Sequence, residues 1–173
     1  MRNHLVIAGG GQAAVQAAQS ARQDGFDGPI SLLSNEPWLP YQRPPLSKKF
    51  LAGELEAERL HLKPHEFYTT REIDVRLETS VSAIDPARHR IELADGESIE
   101  YSHLLLATGS APRALELPGS GLAGIRTLRT LADVEAIRSG FLPGRKLLIV
   151  GAGYIGLEVC IGSTTQQFLC NKI

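Results

Sequence analysis

The sequence has little cysteine, almost no net charge and no long apolar run, and each shortage excludes something. Its 173 residues hold two cysteines, Cys160 and Cys170, both in the last segment, so no disulfide framework is expected to shape the main body. Eighteen Lys and Arg residues against nineteen Asp and Glu leave a formal net charge of −1. That balance gives no electrostatic reason to expect nucleic acid or an anionic membrane as a partner. No apolar run approaches the ~20 residues that a membrane span needs. No apolar core of signal type, with a small-residue cleavage site, follows Arg2. The expectation is a cytoplasmic chain with no low-complexity tract. What remains is ordinary globular composition, 43% hydrophobic and 21% charged. A chain of this length can bury roughly 68–70% of its unfolded surface, so a packed core is expected.

Two glycine-rich turns stand out, one near each end. The first is Leu5-Val6-Ile7-Ala8-Gly9-Gly10-Gly11-Gln12-Ala13-Ala14, and the second is Leu147-Leu148-Ile149-Val150-Gly151-Ala152-Gly153-Tyr154-Ile155-Gly156-Leu157-Glu158. In each, an apolar run of strand length breaks into G-x-G-x-x-G/A and becomes helix-like. The pattern suits a dinucleotide pyrophosphate. The first glycine permits the tight turn, the second lets the main chain approach the phosphates, and the third small residue lets helix pack on strand. The helix N-terminus adds free N–H groups and partial positive charge. Gly9, Gly11, Ala13 and Ala14 are the candidates in the first turn, and Gly151, Gly153 and Gly156 in the second. The plain alternative is a tight βα turn without a ligand. Two such turns in separate βα units point instead to a chain built for two dinucleotides.

Between them the pattern predicts a helix over residues 12–24, stopped by Gly25, and a strand over 30–34 that completes a βαβ unit. Asn35 or Glu36 then falls where a ribose-binding side chain usually sits. Residues 37–48 carry four prolines, which fix φ and remove donors, so a stiffened loop is expected, with a helix from Pro45 or Ser47 to near Gly53. A short helix is expected over 64–71. Strands are expected over 76–84, 88–93 and 98–101, with Asp95-Gly96 as a hairpin turn, and over 103–107, ending at Thr108-Gly109. Residues 110–124, rich in Gly and Pro, read as a crossover. Residues 130–139 read as a helix with Thr130 and Asp133 at capping-box spacing, and 145–150 as the strand that opens the second unit.

Several residue patterns have a bland reading beside the chemical one. Arg43 and Lys48 could be solvated surface cations, but the stiffened loop that carries them suits cations held in fixed geometry. Thr108-Gly109 ends an apolar strand where α/β sheets place ligand contacts, or merely stops it. Glu158 lies on the first turn of a helix, where a carboxylate also suits the helix dipole. His61 and His65 have i, i+4 spacing, but Pro64 between them breaks the aligning helix, so no metal site is expected. Ser34 and Ser47 have no adjacent histidine, so no nucleophile–base pair is expected.

Five segments, Gly25-Phe26-Asp27-Gly28-Pro29-Ile30, Pro40-Tyr41-Gln42-Arg43-Pro44-Pro45-Leu46-Ser47-Lys48, Leu105-Leu106-Ala107-Thr108-Gly109, Leu128-Arg129-Thr130-Leu131 and Gly151 to Glu158, together resemble one family. It is that of the flavin-dependent ferredoxin reductases, the putidaredoxin- and rhodocoxin-reductase-like members of the pyridine nucleotide-disulfide oxidoreductase superfamily. The resemblance covers about residues 4–159. It implies FAD on the first Rossmann unit and NAD(P)H as donor on the second. Hydride then passes to flavin, and single electrons pass to a ferredoxin-type [2Fe-2S] protein serving a cytochrome P450 or a ring dioxygenase. By the same resemblance FAD is held by Gly9, Gly11, Ala13 and Ala14, with Asn35 and Glu36 at the ribose, Arg43 and Lys48 along the cofactor, and Val81 over the adenine. Thr108, Gly109 and Arg129 complete the near wall. Lys48 and Glu158 form the catalytic charged pair where hydride arrives, each holding the other ionised. The redox cysteine pair of the superfamily's disulfide reductases has no counterpart in residues 37–50, which leaves the flavin as the redox centre.

The implied fold is α/β: a Rossmann-like FAD-binding domain with a β-hairpin/meander insertion, plus the start of a second, NAD-binding Rossmann unit. The expected divisions are 1–115 for the FAD-binding domain, 116–144 for a crossover and helix, 145–159 for the start of the NAD(P)-binding domain, and 160–173 for an atypical tail. After Val159 the family's Ala/Leu-rich helix gives way to Gly162 and three successive hydroxyl residues, which are poor helix material. The sequence expectation is therefore a truncated or out-of-frame end. Two readings follow: a ferredoxin reductase represented by its N-terminal portion, or a non-catalytic remnant with at most partial FAD binding.

Overall fold

A computed structural model describes residues 3–142, 145–151, 153–164 and 169–172. They fall into two compact units, Met1–Gln42 with His61–Gly109, and Arg43–Leu60 with Ser110–Ile173.

The first unit opens with β1 (Leu5–Ala8), α1 (Gln12–Gln23) and β2 (Ile30–Leu33), followed by α2 (His65–Thr70) and β3 (Ile73–Arg76). Then come β4 (Val81–Asp85), β5 (Arg90–Leu93), β6 (Ser98–Glu100) and β7 (His103–Leu106). The strands β3-β2-β1-β7 form one parallel sheet, with Ile7 opposite Leu32 on one side and Leu105 on the other. The strands β4-β5-β6 form an antiparallel meander. Apolar residues on both faces of β1 and β2 call for cover on both faces. Ile7, Ile30 and Leu32 pack with Ala14, Val15 and Ala18 of α1 and Tyr68 of α2. Val6 and Leu33 pack with Ile91, Leu93 and Tyr101 of the meander region. Helices, parallel sheet and meander thus make three layers. The Arg22 guanidinium locks the end of α1 by donating to four main-chain carbonyls, those of Phe26, Gly28, Arg71 and Glu72, at 2.7–2.9 Å.

The second unit contains 3₁₀ turns at Pro44–Ser47 and Ala57–Leu60, then α3 (Leu131–Arg138), β8 (Lys146–Ile149), α4 (Tyr154–Thr164) and β9 (Leu169–Lys172). β8 and β9 pair in parallel. Its buried side chains include Leu46, Phe50, Leu51, Leu60, Leu131, Val134 and Val159. Residues 110–127 are exposed throughout and hold no helix or strand. At α3 the expected capping box is present: Thr130 Oγ1 accepts from the Asp133 amide, while Asp133 Oδ2 accepts from the Thr130 amide at 2.8 Å.

Three expectations are corrected. The single strand over 76–84 is two strands in different sheets. Ile73–Arg76 adds to β2, and Val81–Asp85 joins the meander after a turn in which the Thr79 amide donates to the Ser34 carbonyl at 2.7 Å. A strand's partner is a tertiary choice that local β-propensity does not encode. The helix from Pro45 to Gly53 is a 3₁₀ turn over Pro44–Ser47 followed by irregular turns. The helix expected to fail after Val159 continues through Gly162 and Ser163 to Thr164, and β9 follows it, tertiary pairing having overridden weak propensity.

Candidate functional site

In the first unit the register aligns the C-terminal ends of β1, β2 and β7, so the segments that follow them emerge at one edge of the sheet. From β1 the chain runs to β2 and β3 on one side, whereas β7 lies on the other, which makes this edge a point where strand order reverses. Ligands of open α/β sheets bind at such points. Gly9 makes the turn with φ at +136°, and its amide donates to the Leu33 carbonyl at 2.8 Å. A methyl group there would stand 2.1 Å from the Ala107 carbonyl oxygen, so β1 and β7 can close only around a glycine. Gly11 is the N-cap of α1 in extended conformation, without a side-chain cap and with no acidic residue in the first turn. The first amides of α1 therefore keep their donors and their share of the helix dipole for an anion. A methyl group on Gly11 would meet no atom within 4 Å, so the space beside this residue is open. Ala13 is exposed, while Ala14 is fully buried against the sheet.

The other candidates of this unit follow β2 and β7. Asn35 is exposed, and Glu36 is half-buried with its Oε2 accepting from the Tyr41 phenol at 2.6 Å. Thr108 and Gly109 are exposed beyond β7. Val81, at the start of β4, is half-buried against the Val6, Leu33 and Ile91 cluster.

In the second unit Lys48 and Glu158, 110 positions apart in sequence, come together. Lys48 Nζ lies 3.0 Å from Glu158 Oε1. Ser47 Oγ donates to Glu158 Oε2 at 2.5 Å. The hydrogen bond from Ser47 and then that from Lys48 hold the Glu158 carboxyl below the usual carboxylate range. Arg43 donates from its guanidinium to the Arg129 carbonyl at 3.0 Å, and the Arg129 amide donates to Asp133 Oδ2 at 2.9 Å. Gly151 turns out of β8 with φ at +116°. A methyl group on Gly156 would lie 2.5 Å from the Gly151 carbonyl, whereas one on Gly153 would meet nothing within 4 Å. That is the packing expected of the third and second glycines of the motif.

Sequence reasoning passed over Ser47 and Tyr41, the two hydroxyls that orient Glu158 and Glu36. For Ser47, its place beside Lys48, on a loop stiffened by Pro44 and Pro45, is the signal that could have found it. His61 contributes main chain to a bridge with Tyr41, and His65 Nδ1 lies 3.2 Å from Thr69 Oγ1. Among the described residues no group of three His, Cys, Asp or Glu side chains could hold a metal ion. Nor is any helix among them long and apolar enough to cross a membrane.

Residues 3–166 match the family model described as pyridine nucleotide-disulphide oxidoreductase. Rhodocoxin reductase of Rhodococcus erythropolis is 44% identical over 155 residues, covering 90% of this chain and 36% of that protein. Rubredoxin-NAD(+) reductase of Pseudomonas putida is 43% identical over 155 residues, covering 90% of this chain and 40% of that protein. The solved structure of the covalent putidaredoxin reductase–putidaredoxin complex superposes with a TM-score of 0.92 at 37% identity, covering 98% of this chain and 42% of the matched chain. The chain thus spans well under half the length of these relatives.

Proposed function

This chain belongs to the pyridine nucleotide-disulphide oxidoreductase family, and from that premise we propose that it is a flavoprotein passing electrons from NAD(P)H through FAD to a ferredoxin-type [2Fe-2S] protein of an oxygenase system. The reading rests on one observation above the others: the start of α1 at Gly11, without a side-chain cap, at the edge where strand order reverses. The residues present fit the group. Gly9 and Gly11 would let main chain approach a pyrophosphate, the first amides of α1 would donate to it, and Ala14 keeps the helix packed on β1. Glu36, oriented by Tyr41, offers a carboxylate for ribose hydroxyls, with Asn35 beside it. Arg43, Val81, Thr108, Gly109 and Arg129 belong to the same assignment, and Gly151, Gly153 and Gly156 are assigned to the nicotinamide dinucleotide.

When bound, a flavin accepts two electrons as hydride and releases them one at a time. The chain's own part is to bind and to set charge. Lys48 and Glu158 form an ion pair that would keep a positive and a negative group together at the site of hydride arrival. Relatives named as ferredoxin or rubredoxin reductases support an iron–sulfur acceptor, and the sparse cysteine supports a cytoplasmic setting.

A second reading, flavin binding without turnover, is favoured by the exposure of Leu148, Val150, Ile155 and Leu157 around the second glycine turn. A visible spectrum of the chain purified with FAD separates the two. Bound flavin that NADH or NADPH bleaches supports the reductase, and bound flavin that neither bleaches supports the second reading. In Gly11→Ala the ligand-free melt is expected to move by less than about 0.5 kcal/mol while flavin affinity falls at least about tenfold. A wild-type chain that comes off a desalting column colourless after incubation with excess FAD, or a Gly11→Ala chain that binds flavin equally well, would overturn the assignment of flavin to this site.

A further inference from the structure

We propose that Ser47 is a positioning residue for the Lys48–Glu158 pair, fixing one carboxylate oxygen of Glu158 so that the other is left to the Lys48 ammonium. The functional consequence rests on the reading of that pair as the redox-site charge pair, but the positioning itself does not.

The two partners of Glu158 differ in how firmly they are held. Lys48 is a long side chain, 51% exposed, which also donates to the Pro44 carbonyl at 3.3 Å. An ion pair to such a chain is screened by solvent and orients its partner poorly. Ser47 is 5% exposed and has a single side-chain torsion. It closes the 3₁₀ turn Pro44–Ser47, whose first two residues are prolines with φ fixed by their rings and whose Leu46 is buried. The turn packs against both α3 and α4. A rigid donor of this kind sets direction, whereas a mobile cation supplies charge.

Each carboxylate oxygen has a separate partner, Oε2 with Ser47 and Oε1 with Lys48, so the two do not compete. At the start of the turn the Arg43 guanidinium donates to the Arg129 carbonyl at 3.0 Å. On α3, Asp133 accepts from the amides of Arg129 and Thr130, and the Arg138 guanidinium lies over the Phe50 ring at 5.8 Å. The Ser47 hydrogen bond is also the largest influence lowering the Glu158 carboxyl, ahead of Lys48.

The test follows the Glu158 carboxyl carbon by ¹³C NMR through a pH titration of the full chain as wild type, Ser47→Ala, Ser47→Thr and Lys48→Met. Ser47→Ala is expected to shift the midpoint upward by more than Lys48→Met does, and Ser47→Thr to keep it at the wild-type value. Equal midpoints in wild type and Ser47→Ala would overturn the proposal. Should Ser47→Ala fail to fold, Ser47→Cys takes its place: a thiol is a weak donor, so its midpoint is expected above that of the wild type, and a midpoint at the wild-type value overturns the proposal. Single-turnover flavin reduction tests the underlying reading separately. There Ser47→Ala is expected to lose at least tenfold in rate at saturating NADH, and Ser47→Thr to recover to within about threefold. A midpoint shift without a change in rate would support the positioning and overturn the redox assignment of the pair.

Discussion

The two glycine turns share a sequence pattern but sit in different surroundings. Around the first, β1 is flanked by β2 and β7, and Val6 and Ile7 are fully buried between α1 on one face and the meander on the other. Around the second, β8 pairs with β9 alone among the described residues, and Leu148, Val150 and Ile155 are 55–60% exposed. Gly9 is wedged against the Ala107 carbonyl, whereas Gly151 has no neighbour within 4 Å of where a methyl would stand. The G-x-G-x-x-G/A pattern therefore specifies a local bend, and the neighbouring strands decide whether that bend is rigid. Rigidity matters because aligned amides stabilise an anion only if held in place before it arrives.

Substitutions can break that comparison or sharpen it. The largest effect is expected at Gly9→Ala, where positive φ and a main-chain clash act together and cost about 4 kcal/mol or more in a denaturant melt. Gly151→Ala, strained in φ but free of any clash, should cost less, about 1–3 kcal/mol. Equal losses at the two glycines would abolish the contrast. Next in size, Arg22→Ala leaves four carbonyls without their charged donor and should cost about 2–3 kcal/mol, read in the unfolding of the first unit. Thr130→Ala removes the α3 cap and should cost about 1 kcal/mol, with increased amide exchange in α3 while β1 is unchanged.

The smallest effect is expected at Tyr68, whose hydroxyl is buried without a partner and whose pKa burial pushes up to about 12. The unfolded chain ionises this phenol near pH 10, before the folded chain does. Its contribution is thus complete below pH 10 and is lost as pH rises towards about 12. Tyr68→Phe should leave neutral-pH stability unchanged or raise it by up to about 1 kcal/mol, and should flatten the alkaline limb of the stability profile.

The first βαβ unit, the Asp95-Gly96 hairpin and the α3 capping box were legible in the sequence because each rests on local rules: hydrophobic period, turn chemistry, and cap spacing. The split of residues 76–84 between two sheets was not, since Arg76 ends a parallel strand and Val81 begins an antiparallel one with no breaker stronger than Thr79-Ser80 between them. Nor was the helical course of Gly162 to Thr164, which runs against propensity. In the candidate site, the glycines were visible as a motif and the Lys48–Glu158 pair through resemblance. The hydroxyls of Ser47 and Tyr41 were hidden, because what they do depends on carboxylates that only folding brings to them.

The path of the chain between the units has a consequence for proteolysis. Residues 43–60 leave the first unit at Gln42 and return at His61, where Tyr41 and His61 pair and the Leu62 amide donates to the Pro40 carbonyl at 2.8 Å. They nevertheless belong to the second unit, with α3 and α4 packed on the Pro44–Ser47 turn. A protease nick in the bare stretch 110–127 would thus cut the polypeptide without freeing the pieces. The N-terminal fragment would keep its excursion docked into the C-terminal one, so the two should elute as one peak on native gel filtration and separate only in detergent.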